Sequence, residues 1–230
     1  MKMLKVNIYA AVLFLAAMAP VASAASADQR IFFFGNSYTY YNGGIDLMVK
    51  ALLEESLSVT VEAQVFTGNG AKLPRHLQEL DGTNGDTAAR QALITGSNTS
   101  WDLVVLQDQS MVPAYHNSAE FYESLDAGVE INNLINPTGA VTMFLSTWGR
   151  QYSDFPTMQE RLNGGYRQYQ CAANDHLSFV APAGVAFELV YHDTIAKGGT
   201  STSAPFSSLY KGDGSHPSDQ GSYLAACVIF

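Results

Sequence analysis

The sequence predicts an α/β domain, a three-layer α/β/α sandwich built around a parallel sheet of about five strands. Short apolar runs alternate along the chain with longer amphipathic segments. The third and fourth runs are almost entirely apolar, which is typical of parallel strands that helices cover on both faces. The predicted strands are residues 30–34, 59–66, 102–107, 140–146 and 178–181.

Helices are predicted between these strands. They lie near residues 44–57, 87–96, 118–135, 156–173 and 184–196, and a last one begins near Pro217. In the third of them an apolar residue recurs every four positions, which indicates one buried face, at Phe121, Leu125 and Val129. The last helix ends on an apolar run without a cap or breaker, a pattern typical of a truncated sequence.

The first residues have the features of a secretory signal peptide. Lys2 and Lys5 precede an apolar stretch, and the small residues of "APVASAASA" offer cleavage sites. We therefore expect residues 1–24 to be removed and residues 25–230 to form a single domain in the periplasm or the medium. No other apolar run is long enough to span a bilayer, so membrane insertion is not expected.

The composition narrows the class of partner. Without residues 1–24 the chain has 10 basic and 21 acidic residues, a formal charge of −11, and no basic cluster. Such acidity repels nucleic acid, and it favours neutral substrates such as esters and glycans. The chain has two cysteines, Cys171 and Cys227. In an oxidising compartment they form either one disulfide or two buried free thiols, and the sequence does not choose between them.

The tripeptide Gly35-Asn36-Ser37 directly follows the first predicted strand. In a parallel α/β sheet, ligands bind at the carboxyl ends of the strands, where this serine lies. A lone tripeptide of this kind is more often a turn or a helix cap. Asp213 and His216, three residues apart in "DGSHP", supply what a nucleophilic serine needs: a base, and an acceptor that orients the base.

Acyl transfer also requires hydrogen-bond donors for the developing oxyanion. "TGNGAKL" follows the second strand and offers backbone N–H groups, of which Gly70 is the best candidate. "LQDQS" follows the third strand and offers the side-chain amides of Gln107 and Gln109. Each segment alone is more often a plain connecting loop. Together they place polar groups after three strands, where one pocket can gather them.

These segments resemble the conserved blocks of the SGNH hydrolases, also called GDSL-type esterases, in a branch with GNS at the nucleophile. The resemblance covers about residues 30–230. It implies a flavodoxin-like three-layer fold, a triad of Ser37, His216 and Asp213, and an oxyanion hole of Ser37, Gly70 and Gln109. The family has Asp where this chain has Asn36, and Asn where the nearest residue here is Gln109, so Gln107 remains a rival donor.

The expected function is that of a secreted serine esterase without a cofactor, acting on a small-molecule or carbohydrate ester such as an acetyl ester. Trp148 and Arg150 follow the fourth strand and are candidates for the wall that selects the acyl or sugar group, although Trp at a strand end is as often core packing. No metal-ligand spacing relates His76, His116, His176 and His192, so no metal site is expected. The alternatives are a non-catalytic glycan-binding module and a lipid-active acylhydrolase.

Overall fold

Five parallel strands form one sheet, as the sequence predicts. The computed structural model describes residues 27–152, 154–173 and 178–230, so the predicted signal peptide and His176 lie outside the described residues. The strand order is β2-β1-β3-β4-β5. The strands are β1 (Gln29–Gly35), β2 (Val61–Thr67), β3 (Leu103–Leu106), β4 (Val141–Leu145) and β5 (Ser178–Ala181).

Helices connect the strands and cover both faces of the sheet. They are α1 (Ser37–Tyr40), α2 (Ile45–Leu57), α3 (Leu73–Asp81), α4 (Ala88–Arg90), α5 (Ala119–Ile135), α6 (Phe155–Ala173), α7 (Ala183–Ala196) and α8 (Asp219–Ile229). A π-helical turn, Gln91–Thr95, continues α4. Within the described residues, no helix is both long and apolar enough to cross a membrane.

Helix α3 is missing from the sequence prediction. Its buried face consists of Leu73, His76, Glu79 and Leu80. Because two of these four residues are polar, the apolar period that marks a buried helix face is broken. Pro74 stands in the first turn, where a missing N–H costs nothing.

The pleat of β1 divides the core into two layers. Phe32 and Phe34 pack on one face with α3, α5 and α6, and Ile31 and Phe33 pack on the other with α2, α7 and α8. All three phenylalanines are fully buried, and each such burial contributes about 1.5–3 kcal/mol. In α5, Phe121 is buried as expected, but Leu125 and Val129 are only half-buried. The buried face of α5 instead includes Phe121, Ser124, Gly128, Ile131 and Ile135.

The structure contradicts both expectations for the cysteines. Cys171 and Cys227 are exposed free thiols, neither bonded to each other nor buried. Cys171 lies on α6, whose buried residues Leu162, Tyr166, Tyr169 and Ala173 pack with α5 on one face of the sheet, whereas Cys227 lies on α8 against the opposite face. The sheet separates the two helices, so a disulfide between them would require rearrangement of the fold.

The strand order places a crevice at one edge of the sheet. Strand β1 lies between β2 and β3. The connection from β1 leads to β2 on one side, and the connection from β2 leads back to β3 on the other side of β1. In open parallel sheets, ligands bind at such a switch point, outside the carboxyl ends of the strands. Here that edge carries the residues that follow Gly35, Thr67 and Leu106.

Candidate active site

Ser37 is the first residue of α1 and follows β1 by a single linking residue. That residue, Asn36, has an extended backbone, and its side-chain carbonyl accepts the Tyr38 N–H at 3.1 Å. Asn36 is therefore the N-cap of α1. An N–H at the first helical position has no partner within the helix, so the Ser37 N–H remains available to a ligand.

Ser37, His216 and Asp213 form a continuous hydrogen-bonded chain. The Ser37 Oγ atom lies 3.0 Å from His216 Nε2, and His216 Nδ1 lies 2.5 Å from Asp213 Oδ2. The other oxygen of Asp213 accepts the backbone N–H groups of Ser215 and His216, both at 2.9 Å. A hydroxyl bonded to an imidazole that a carboxylate orients is the arrangement that activates a serine nucleophile.

The carboxyl group of Asp213 remains ionised at neutral pH. Partial burial on its own would raise the pKa of Asp213. The hydrogen bonds from His216 and from the backbone N–H groups of Ser215 and His216 outweigh burial, so this pKa lies below its ordinary value. An ionised Asp213 can accept the His216 Nδ1–H, which directs Nε2 toward Ser37.

The loop that carries His216 is bonded to the segment after β4. Trp148 Nε1 donates to the Ser215 carbonyl at 3.2 Å, and the Gln151 N–H donates to the Gly214 carbonyl at 2.8 Å. Gly214 has φ +64°, in the left-handed region that favours glycine. Both donors belong to the segment after β4, so the position of the His216 ring depends on that segment as well as on the turn that contains His216.

Two tyrosines from the nucleophile side flank the His216 ring. Tyr41 meets it edge-on with ring centroids 4.4 Å apart, and Tyr38 does so at 5.6 Å. The Tyr38 hydroxyl also lies 2.7 Å from Ser215 Oγ. Helix α1 and Tyr41, the residue that follows it, therefore help to orient the base that faces Ser37.

Two of the predicted oxyanion donors lie in the cavity wall beside Ser37. Gly70 has φ +58° in a turn that the Ala71 N–H closes onto the Gly68 carbonyl at 3.1 Å. Gln109 uses its side-chain carbonyl to accept the Met111 N–H at 2.7 Å. Among the described residues, no acceptor faces the Gln109 side-chain N–H₂, which leaves those donors for a ligand.

Gln107 lies in the interior, so its assignment to the pocket is wrong. The residue is fully buried and outside the cavity wall. Its side-chain carbonyl accepts the Asn36 N–H at 3.1 Å and the Thr39 hydroxyl at 2.9 Å, and its amide donates to the Asp108 carbonyl. Gln107 therefore braces the serine turn, and because its buried side chain lies outside the cavity wall it presents no donor to an oxyanion there.

Trp148 is also part of the core and does not line the pocket. Its ring stacks between Phe187, at 4.4 Å, and Tyr38, at 4.8 Å, and it is 1% exposed. The bulk and apolar face of Trp favour this sandwich over a place in a polar wall. Arg150, in contrast, does line the cavity.

Sequence reasoning missed three buried polar residues that support the site. The first is Asn36, which the sequence marks only as a departure from a family pattern. Its side-chain amide donates to the Ala71 carbonyl at 3.0 Å and to the Asp108 carbonyl at 3.3 Å. It therefore joins the loops after β1, β2 and β3. Their spacing in the chain gave no signal, since each contact spans 35 residues or more.

Asp108 is the second of these residues. It is fully buried, and its carboxylate accepts the N–H groups of Leu73 at 3.1 Å and Gln109 at 2.7 Å, and the Tyr169 hydroxyl at 2.7 Å. Burial raises the pKa of Asp108, and these three donors oppose the rise. Asp108 thus links Gln109 to the start of α3.

His76 is the third, and it contacts the strand that leads to the serine. Its ring is fully buried, with Nδ1 2.9 Å from Glu79 Oε2 and Nε2 3.0 Å from the Gly35 carbonyl oxygen. Burial favours a higher pKa for Glu79, but the hydrogen bonds and charges of His76 and Arg75 lower it overall. The signal in the sequence was the three-residue spacing of His76 and Glu79, which becomes informative once α3 is known to be a helix.

The cavity at this edge of the sheet has a volume of 360 Å³. Ser37, Gly70, Gln109, Arg150 and His216 share it with Asn36, Tyr38, Tyr40, Tyr41, Asn69, Ser110 and Ser215. Within the described part of the chain, no cluster of three or more His, Cys, Asp or Glu side chains has a geometry that could bind a metal ion.

Comparison with solved structures finds the same fold in hydrolases. A candidate SGNH hydrolase from Slackia heliotrinireducens is 25% identical, with a TM-score of 0.65 over 87% of this chain and 96% of its own. A DUF4886 family protein from Bacteroides uniformis is 18% identical, with a TM-score of 0.64 over 88% and 81%. A catalytic mutant of Axe2, an acetylxylan esterase from Geobacillus stearothermophilus, is 14% identical, with a TM-score of 0.61 over 89% and 94%.

No protein-family profile matches the chain, and no curated protein is significantly similar to it in sequence. The likeness is therefore one of architecture: the chain has the α/β fold of the SGNH hydrolases and esterases. At these identities the fold is shared, while substrate and activity have to be argued from the residues of this chain.

Proposed function

We propose that the protein is a serine esterase in which Ser37 is the nucleophile. The observation that carries the proposal is the hydrogen-bonded chain from Ser37 Oγ through both nitrogens of His216 to Asp213. The hydrogen-bonded residues Ser37 and His216 line a cavity whose wall also includes Gly70 and Gln109, the candidate amide donors for acyl transfer. The shared fold of SGNH hydrolases and an acetylxylan esterase supports the same reaction class.

In the acylation step, His216 Nε2 takes the Ser37 hydroxyl proton while Oγ attacks the ester carbonyl carbon. The carbonyl oxygen becomes negative, and the N–H groups of Ser37 and Gly70 and the Gln109 amide stabilise it. The tetrahedral intermediate then collapses: the bond between carbon and alcohol oxygen breaks, and His216 gives its proton to the leaving alkoxide. Asp213 stays ionised throughout and stabilises the charged imidazole.

In the deacylation step, water takes the place of the alcohol. His216 removes one proton from water, the hydroxide attacks the acyl-Ser37 carbonyl, and the same donors stabilise the second oxyanion. When the bond to Oγ breaks, His216 returns the proton to Ser37 and the carboxylic acid leaves. The cycle consumes one water molecule and requires no cofactor.

The preferred substrate we propose is a small acyl ester, such as the acetyl ester of a carbohydrate. A cavity of 360 Å³ lies at the low end of the range for ligand pockets, which favours a short acyl group over a long lipid chain. The fold shared with a protein named as an acetylxylan esterase is consistent with a carbohydrate alcohol. We also propose export, with cleavage after about Ala24, which the mass of the protein recovered from the periplasm or medium would test.

Turnover of 4-nitrophenyl acetate by the purified wild type tests this proposal. Because the same assay on Ser37→Ala measures contaminating or nucleophile-independent hydrolysis, the proposal predicts a large difference between the two. A wild type that binds acetylated oligosaccharides yet hydrolyses no ester would identify the chain as a non-catalytic glycan-binding module and refute the esterase.

A further inference from the structure

Arg150 is a cation in the cavity wall without a counterion among the described residues. Its Nε atom is buried and has no acceptor among the described residues, and no carboxylate within them forms a salt bridge with it. Arg30 and Arg75 behave differently, since they pair with Glu62 at 2.8 Å and Glu79 at 3.1 Å. A guanidinium in a cavity wall that no carboxylate of the described residues neutralises favours an anionic partner from outside the chain.

The backbone around Arg150 is fixed on both sides. The Arg150 N–H donates to Met158 Sδ at 3.3 Å, and the preceding Gly149 N–H donates to Gln159 Oε1 at 2.9 Å, both on α6. The following residue, Gln151, is bonded to the Gly214 carbonyl in the His216 loop. Arg150 is therefore presented from a rigid segment directly beside the base, which lowers the entropic cost of binding a ligand.

The charges of the cavity also favour an anion. The described residues of its wall include no Asp or Glu, and their ionisable side chains besides Arg150 are His216 and three tyrosines. Asp213 is occupied by His216 and two backbone N–H groups. In a chain with 21 acidic and 12 basic residues, an unpaired arginine beside the nucleophile is not explained by a general excess of positive charge.

From this geometry we infer that Arg150 binds a carboxylate carried by the ester substrate. This inference rests on the proposed esterase function and specifies its substrate class: an ester whose acid or alcohol part bears a second, ionised carboxyl group. The planar guanidinium matches a carboxylate through two parallel hydrogen bonds, and a carboxylate is small enough to share a 360 Å³ cavity with an ester group.

The test compares esters that differ in this one charge. On the alcohol side, 4-acetoxybenzoate is compared with its methyl ester; on the acyl side, mono(4-nitrophenyl) glutarate is compared with 4-nitrophenyl butyrate, after subtraction of spontaneous hydrolysis. In at least one pair, Arg150→Met should lower kcat/KM for the charged ester about tenfold or more relative to the neutral one. Arg150→Lys should retain part of the preference.

Lys211→Met is the matched control, because it removes the same charge from an exposed side chain that lies over the Tyr41 ring outside the cavity wall. It should leave the ratio of charged to neutral turnover within about twofold of wild type. An equal change in Lys211→Met and Arg150→Met, or no change of the ratio in either ester pair with Arg150→Met, would overturn the carboxylate site.

Calorimetry separates this inference from the esterase itself. In a Ser37→Ala background, 4-hydroxybenzoate and glutarate should bind at least tenfold more weakly once Arg150→Met is added. Binding that depends on Arg150, without any ester turnover by wild type, would refute the esterase and retain the anion site. Turnover of neutral esters, with no Arg150-dependent discrimination in either assay, would refute the anion site and retain the esterase.

Discussion

The Nε2 atom of His76 lies 3.0 Å from the carbonyl oxygen of Gly35, two residues before the proposed nucleophile. The other ring nitrogen contacts Glu79, so a buried pair on α3 is bonded to the end of β1. The Gly68 N–H donates to the same carbonyl at 3.3 Å. Gly35 is thereby bonded from both α3 and the loop after β2, and the position of Ser37 depends on residues that never touch a substrate.

Replacing His76 should therefore impair catalysis more than substrate binding. In His76→Leu the Gly35 carbonyl loses a donor and Glu79 loses a buried partner, so we expect a loss of about 1–3 kcal/mol in the free energy of unfolding and a lower kcat with little change in KM. His76→Gln, which can still donate to Gly35, should recover part of kcat. Equal kcat in His76→Leu and wild type would exclude a positioning role.

Gly35 should not tolerate even one added methyl group. A Cβ at this position would lie 2.2 Å from Thr39 Oγ1 and 2.9 Å from Gln107 Oε1, the two groups that brace the serine turn. Gly35→Ala should lower the free energy of unfolding by about 1–3 kcal/mol and abolish most esterase activity. Gly212→Ala is the control, because a Cβ added there would meet no atom within 4 Å; denaturant unfolding and turnover of both variants check the prediction.

Asp213→Asn should lower turnover about a thousandfold or more while the fold is kept. An amide cannot stabilise the charged imidazole, and the wrong His216 tautomer then faces Ser37. Asp193→Asn, at an exposed residue that pairs with Lys197, serves as the control and should retain full activity. Undiminished hydrolysis by Asp213→Asn would show that Asp213 is only a turn residue.

Asp108 should give the stability of the protein a distinct pH dependence. Because burial raises its pKa, the folded state binds this proton more tightly than the unfolded chain does. Its contribution to stability is complete below the unfolded pKa of about 3.9 and decreases as the pH rises toward the folded pKa, by at most about 1.4 kcal/mol per pH unit.

Urea unfolding of wild type and Asp108→Asn between pH 4 and 7 isolates this effect, since the other groups cancel in the difference. The stability of wild type relative to Asp108→Asn should fall as the pH rises. Asn can still accept the N–H groups of Leu73 and Gln109, which makes it a suitable neutral replacement. A difference that is constant or grows with pH would contradict the assignment.

The sequence predicted those parts of the molecule that depend on local pattern. All five strands follow from apolar runs such as that of β1, and Asp213 and His216 are close enough in the chain for one turn to bring them together. Helix α3 escaped prediction because His76 and Glu79 interrupt its apolar face. His76 is buried through its contact with Gly35, 41 residues away in the chain, and Glu79 through its contact with His76, and no apolar period reveals either contact.

The placement of side chains at the strand ends was harder to predict for the same reason. Gln107 and Gln109 are equivalent donors in sequence, and only the packing of Asn36 and Thr39 against Gln107 shows which of them is buried. Trp148 lies in the core because Phe187 and Tyr38 sandwich its ring. Whether Cys171 and Cys227 can form a disulfide likewise depends on which face of the sheet each helix covers. The order of the elements along the chain does not determine that face.

The most direct test of the account is the site at which a serine-directed phosphonate reacts. Intact mass should show one adduct per wild-type chain, and peptide mapping should place it on Ser37. Ser37→Ala should fold normally, take up no label and hydrolyse no ester, and His216→Ala should label far more slowly because the base is missing. An adduct on any other residue, or full esterase activity in purified Ser37→Ala, would show that Ser37 is not the nucleophile.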